Sequence, residues 1–146
     1  LPALTMVQPG LHGTVHLPQG ATGHGECILV AEDEPDLRAT LVNLLEGWNY
    51  RVLAVANGRE ALALLDDGTT TVDLILSDVI MPEMSGIALL KTLRQRQSTI
   101  PLLLMTGYLQ GEDLEQLRQI GLRGWLAKPP SIDQLAQAIA DVFVPL

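Results

Sequence analysis

Five short apolar runs, at residues 27–31, 51–56, 72–77, 102–105 and 124–127, alternate with five stretches of helical spacing. This alternation limits what the chain can fold into more than any other feature. The first, Cys27–Ala31, is continuously apolar and reads as a strand buried on both faces. After the first run, Pro35 stands where a helix begins, with acidic neighbours that the helix dipole favours. Leu37, Leu41, Leu44, Leu45 and Trp48 then recur at helical spacing until Gly47 and Asn49 mark the end. Asn57 is placed to cap a second helix carrying Ala61, Leu62, Leu64 and Leu65, closed by Asp66, Asp67 and Gly68. Ser85 caps a third with Ile87, Leu90 and Leu93, and a fourth runs over about residues 112–120 until Gly121. Ser131 caps the last, with Ile132, Leu135, Ile139, Val142 and Phe143 on one face.

Strict alternation of strand and helix predicts an α/β fold, with a parallel sheet covered on both sides. Right-handed crossovers bring every strand's C-terminal end to one edge, where open sheets of this kind bind ligands. With 146 residues the chain fits one domain. Hydrophobic residues make up 47 % but aromatic ones only 3 %, so the core must be built from Leu, Ile, Val and Ala.

The residues that close the strands at this edge are Glu32 and Asp33, Asp78, Thr106 and Lys128. Taken singly, each has an ordinary explanation. Glu32 and Asp33 can be solvated acids before a helix, Asp78 a loop acid before Pro82, Thr106 a strand-end hydroxyl and Lys128 a surface lysine. Together their chemistry is complementary. Three crowded carboxylates repel one another unless a cation sits among them. An oxygen-only ligand set suits a hard ion, Mg²⁺ or Mn²⁺, which binds through one or two carboxylates and a phosphate oxygen. A lysine charge and a threonine hydroxyl match the remaining phosphoryl oxygens, and a carboxylate can itself attack phosphorus.

The net charge of −8 argues against a nucleic-acid surface, which needs clustered Lys and Arg. Cys27 is the single cysteine, so no internal disulfide can form, and its apolar setting reads as a buried inert thiol. No apolar run spans a bilayer and no secretory signal is present, so the expectation is a cytoplasmic domain without direct membrane contact, although the parent protein could be membrane-anchored. Residues 1–25 differ from the rest. With Glu26 they hold five glycines, three prolines and all three histidines, His12, His16 and His24. We expect a flexible linker or tail here, with the folded domain over 26–146. His12 and His16 would share a helical face, but Gly10 and Gly13 oppose that helix and no acid or cysteine completes a metal site.

The segments "LVAEDEPDLR", "DLILSDVIMPEMSG", "PLLLMTGY" and "GWLAKPPS" together resemble the response-regulator receiver family, over about residues 26–146. The resemblance implies a flavodoxin-like doubly wound (βα)5 fold, with a five-stranded parallel sheet in the order 2-1-3-4-5. It makes Asp78 the phosphoacceptor, with Asp33, Asp78 and the backbone carbonyl of Ile80 binding Mg²⁺ (or Mn²⁺) and Glu32 acting through water. Thr106 and Lys128 would hold the phosphoryl oxygens, the Lys128–Pro129 bond would be cis, and Gly107 would leave room for the donor. Trp125 stands where the family carries Tyr or Phe, as the switch partner of Thr106; otherwise it is simply part of an exposed face. Ile80 and Tyr108 occupy positions that tune dephosphorylation, and their bulk is expected to hinder water.

The implied partner is a histidine kinase or histidine-phosphotransfer domain. Output, and a weak homodimer, would use the face built from the fourth helix, fifth strand and fifth helix. "HGTVHLPQG" resembles the end of a histidine-kinase ATP-binding domain, which favours the receiver of a hybrid kinase. Leu1 in place of Met reads as a piece of something longer, and no effector domain follows before Leu146. The alternatives are a stand-alone or truncated response regulator and a pseudo-receiver that binds partners without phosphorylation. A phosphatase is disfavoured because Ile80, not an acid, follows Asp78 by two residues. A flavin enzyme is disfavoured because no phosphate loop follows the first strand. No turnover of an external substrate is expected beyond the chain's own phosphorylation and slow dephosphorylation.

Overall fold

Each apolar run forms a strand of one parallel sheet: β1 (Cys27–Ala31), β2 (Arg51–Val55), β3 (Leu74–Asp78), β4 (Leu102–Thr106) and β5 (Gly124–Ala127). The helices α1 (Pro35–Gly47), α2 (Gly58–Asp67), α3 (Gly86–Gln95), α4 (Gly111–Gln119) and α5 (Ile132–Phe143) follow in strict alternation. The computed structural model describes residues 22–107 and 111–143, and for Gly111 and Glu112 the backbone alone. Strand order is β2-β1-β3-β4-β5, the doubly wound order expected.

The three inner strands are buried throughout, as continuous apolar runs require. Their alternate residues feed two cores. Ile28, Val30, Leu76, Met105 and Leu126 pack with Leu41 and Leu45 of α1 and with Leu135 and Ile139 of α5. Leu29, Ile75 and Leu104 pack with Ala61 of α2, Leu89 and Leu90 of α3, and Leu114 and Leu117 of α4. Truncating any of the fully buried leucines to alanine should cost ~2–5 kcal/mol. Among the described residues no helix is long and apolar enough to cross a membrane.

Three of the expected caps form. Asn57, Ser85 and Ser131 accept from the backbone N–H of Glu60, Ala88 and Gln134 at 2.9, 3.0 and 3.1 Å. Glu60 returns the favour, accepting from the N–H of Ala56 at 2.8 Å. Asn49 ends α1 and Gly68 ends α2 in left-handed conformations, at φ 70° and 71°.

The third strand begins at Leu74 rather than at residue 72. Asp73 accounts for the shift: its N–H donates to Cys27 O at 2.8 Å, while its Oδ2 accepts from Cys27 N–H at 2.8 Å. The side chain thereby replaces a strand carbonyl, and regular pairing starts one residue later at Ile28 against Leu74.

Of the stretch before residue 26, the structure describes residues from 22 onward; His12, His16 and the segment "HGTVHLPQG" lie outside the described residues. Gly23 N–H donates to Trp48 O at 2.7 Å, Gly25 N–H to Asn49 O at 2.8 Å, and Asn49 Nδ2 to Gly23 O at 2.6 Å. The backbone is thus tied to the α1–β2 turn before β1 starts. Gly23 lies on the ring of Tyr50, where a Cβ would come within 2.3 Å of it.

Candidate functional site

β1, β3, β4 and β5 end side by side, which places the residues that follow or close them around one cleft. Asp33, Glu34, Asp78, Val79, Ile80, Thr106, Gly107 and Lys128 line an open cavity of about 420 Å³, and Glu32 sits beside it, fully buried. Asp78 is the last residue of β3 and only 3 % exposed. Two features fix its backbone. Ser77 Oγ donates to Asp78 O at 2.8 Å. Gly86, at the head of α3, comes so close that a Cβ there would lie 2.2 Å from the same carbonyl oxygen.

Lys128 Nζ donates to Asp78 Oδ2 and to Glu32 Oε2, the latter at 3.3 Å, with Glu32 Oε1 at 3.2 Å. The Lys128–Pro129 bond is cis. Glu32 Oε2 also accepts from Glu34 N–H at 2.9 Å, and Arg38 of α1 donates to the backbone carbonyl of Glu32 at 2.9 Å. The Glu32 carboxyl is held above its ordinary pKa. Burial is the main cause and the charge of Asp78 adds to it, against the lowering effects of the Glu34 N–H and Lys128. Burial alone would lower the Lys128 ammonium, but its bonds to Asp78 and Glu32 outweigh that and raise it.

The charges do not balance. Glu32, Asp33 and Asp78 each bring a carboxylate oxygen within 4.8 Å of the others, and one lysine faces them. Glu32 Oε1 is buried without an aligned hydrogen-bond donor. A buried acceptor that lacks an aligned donor, inside an oxygen-only, net-negative cluster, fits a hard divalent cation, and Glu32, Asp33 and Asp78 are the residues placed to hold one.

The structure therefore brings together Glu32, Asp33, Asp78, Ile80, Thr106 and Lys128. Ile80 is 81 % exposed at the mouth of the cleft, and a Cβ on Gly107 would meet nothing within 4 Å. Trp125 stands apart on β5, 40 % exposed, with the Arg118 guanidinium of α4 5.3 Å from its ring centre. Tyr108 lies outside the described residues. Sequence reasoning passed over Ser77, Glu34 and Arg38. Glu34 and Arg38 had a usable signal in their closeness to the acidic pair at the head of α1. Ser77 had none, because a serine inside an apolar run points to no partner.

A family model for the response regulator receiver domain matches residues 28–140. The chain is 35 % identical over 116 residues to the sensor kinase CckA of Brucella abortus, a match covering 80 % of this chain and 12 % of that protein. It is 39 % identical over 118 residues to the transcriptional regulatory protein CpxR of Klebsiella pneumoniae, covering 80 % of this chain and 48 % of that one. Among solved structures, the signal receiver domain of a signal transduction histidine kinase from Syntrophus aciditrophicus superposes with a TM-score of 0.71 at 35 % identity, over 81 % of this chain and 89 % of that one. The chain belongs to the response regulator receiver family and is a receiver domain of two-component signalling. It spans about an eighth and about half the length of the two curated relatives.

Proposed function

We propose that Asp78 accepts a phosphoryl group from a phosphohistidine of a histidine kinase or histidine-phosphotransfer domain. The observation that carries this reading is the Glu32–Asp78–Lys128 cluster: a nearly buried carboxylate, held at its backbone, faces an open cleft beside a lysine and further acids. An Asp78 carboxylate oxygen attacks phosphorus, the P–N bond breaks, and its electron pair leaves with the donor imidazole, giving an aspartyl phosphate. Lys128 moves from the Asp78 carboxylate to a phosphoryl oxygen and keeps its charge. Thr106, at the end of β4, supplies a hydroxyl to a second one. Asp33, Asp78, the Ile80 carbonyl and, through water, Glu32 would hold Mg²⁺ or Mn²⁺. Such an ion supplies the positive charge that lets phosphoryl oxygens approach three carboxylates.

Thr106 and Trp125 then bias the α4-β5-α5 face between two states. That face is the proposed output surface and the site of a weak homodimer. The likeness to receivers of a sensor kinase and of a signal transduction histidine kinase supports a hybrid-kinase parent. The likeness to CpxR supports the second reading, a response regulator.

Intact mass after incubation with acetyl phosphate tests the chemistry. We expect the gain of one phosphoryl group in Mg²⁺, none in EDTA and none for Asp78→Asn. No gain in the wild type with Mg²⁺ would move the assignment to a pseudo-receiver that binds partners without phosphorylation.

A further inference from the structure

We infer that Arg118 is a latch that holds Trp125 outward in the resting domain and so sets how readily the site takes a phosphoryl group. The register supplies the first half of the case. Leu104 pairs with Trp125 and Thr106 with Ala127. Residues two apart on a strand share a face. Trp125 and Ala127 therefore lie on the same side of the sheet as Leu104 and Thr106, the side covered by α3 and α4. Ala127, directly beside Thr106, is small. An indole folded along β5 would cover that alanine and reach the threonine, whereas the indole here is 40 % exposed.

Arg118 supplies the second half. It lies on the exposed face of α4, one position after the buried Leu117. Its guanidinium stands 5.3 Å from the Trp125 ring centre, within the range at which the ring's electron-rich face attracts a cation. Among the described residues no carboxylate pairs with Arg118, so this contact has no competitor there. The link is specific to the outward position, because an indole over Ala127 leaves from beneath the guanidinium. It also ties α4 to β5, and these two elements carry the proposed output face.

An exposed cation–π contact shifts a two-state equilibrium by a factor of about three to five, roughly 0.6–1 kcal/mol. Where the inward state is the minor one, removing the contact raises its population by that factor, and with it the apparent affinity of any ligand that selects it. The coupling to phosphorylation rests on the receiver chemistry proposed above; the resting contact does not.

The test uses the chain labelled with fluorotryptophan and read by fluorine NMR, with Trp125→Phe assigning the Trp125 signal and leaving that of Trp48. R118Q, without ligand, should move the Trp125 signal and lower its solvent exposure, with R118K intermediate. Titration with beryllofluoride in Mg²⁺ should then show R118Q binding the phosphoryl mimic about three- to fivefold more tightly than wild type. An unchanged Trp125 signal in ligand-free R118Q overturns the latch, whatever the titration shows. A moved signal with unchanged beryllofluoride affinity overturns its control of the site. A wild type that never takes beryllofluoride refutes the receiver chemistry and that control together, while the ligand-free comparison still decides whether the contact exists.

Discussion

Lys128→Met isolates the electrostatics of the site. The wild-type ammonium faces Asp78 and both oxygens of Glu32, whose side chain is fully buried. Methionine keeps most of the length of the stem and removes the charge. Stripping one partner from a buried ion pair typically costs ~3–5 kcal/mol. The Lys128 side chain is 26 % exposed beside an open cleft, so water softens the loss. We expect ~2–3 kcal/mol in EDTA.

Magnesium should reverse much of that loss. Binding to the folded state alone stabilises by RT ln(1 + [Mg²⁺]/Kd), about 2.7 kcal/mol at a hundredfold excess over Kd. The variant should bind the ion at least about tenfold more tightly than wild type, because the competing positive charge has gone, which adds ~1.4 kcal/mol to its gain. Urea unfolding of both proteins in EDTA and in saturating Mg²⁺ gives the four free energies needed. The gap between them should shrink by about half or more in Mg²⁺. An equal gap in both buffers refutes the reasoning: either the three carboxylates do not hold the ion, or Lys128 is not their counter-charge.

Tyr50 is buried and its hydroxyl is pushed up to about 12, by burial first and by the charge of Glu26 second. Because the unfolded phenol ionises near 10, this contribution is complete below pH 10 and is lost as the pH rises to about 12, in total about 2.7 kcal/mol. Tyr50→Phe should lack that alkaline loss in paired urea titrations, and identical pH profiles would refute the assignment. Gly86→Ala forces a Cβ to within 2.2 Å of the Asp78 carbonyl and 2.9 Å of Ser77 Oγ. The backbone must shift, so we expect a loss of ~1–3 kcal/mol together with slower phosphorylation by acetyl phosphate. Wild-type kinetics in a folded variant would show that the acceptor tolerates the shift. Ile80→Asn replaces an apolar group at the mouth of the cleft with one able to orient water. The phospho-form should decay faster by about a factor of three or more, ~0.6 kcal/mol of barrier, and an unchanged lifetime would remove Ile80 from the control of that rate.

The fold was legible because every signal for it is local. Apolar runs such as Cys27–Ala31 and Leu102–Met105 must be covered on both faces, and Asn57, Ser85 and Ser131 announce their helices from the sequence alone. Five of the site's residues were legible for a related reason: in a parallel sheet the topology itself gathers Glu32, Asp33, Asp78, Thr106 and Lys128 at one edge. Part of what escaped depends on contacts distant in sequence. Asp73 substitutes for a strand carbonyl opposite Cys27, across 46 residues, and so moves the start of β3. Arg94 escaped as well. Burial lowers its pKa, and it donates to the carbonyls of Ser98, Ile100, Ile120 and Gly121, pinning the C-terminal end of α4 to the start of β4. An arginine at a helix end ordinarily reads as a solvated charge, and nothing in its neighbours tells the two cases apart.

That pinning bears on how the site reaches a distant surface. The C-terminal end of α4 is fastened to Arg94 of α3 through the backbone carbonyls of Ile120 and Gly121. Leu114 and Leu117 hold the middle of the helix by apolar contact alone, and such contact permits small rotations more readily than aligned hydrogen bonds do. In the switch proposed above, a displacement of Thr106 would act on the helix at the end opposite its anchor. Over nine residues the helix is about 13 Å long, and a swing of a few degrees about Ile120 and Gly121 moves its first turn by roughly an ångström. Arg118 sits close to the anchor, where the displacement is least. A contact there keeps its geometry while the far end moves, and breaks only when Trp125 leaves.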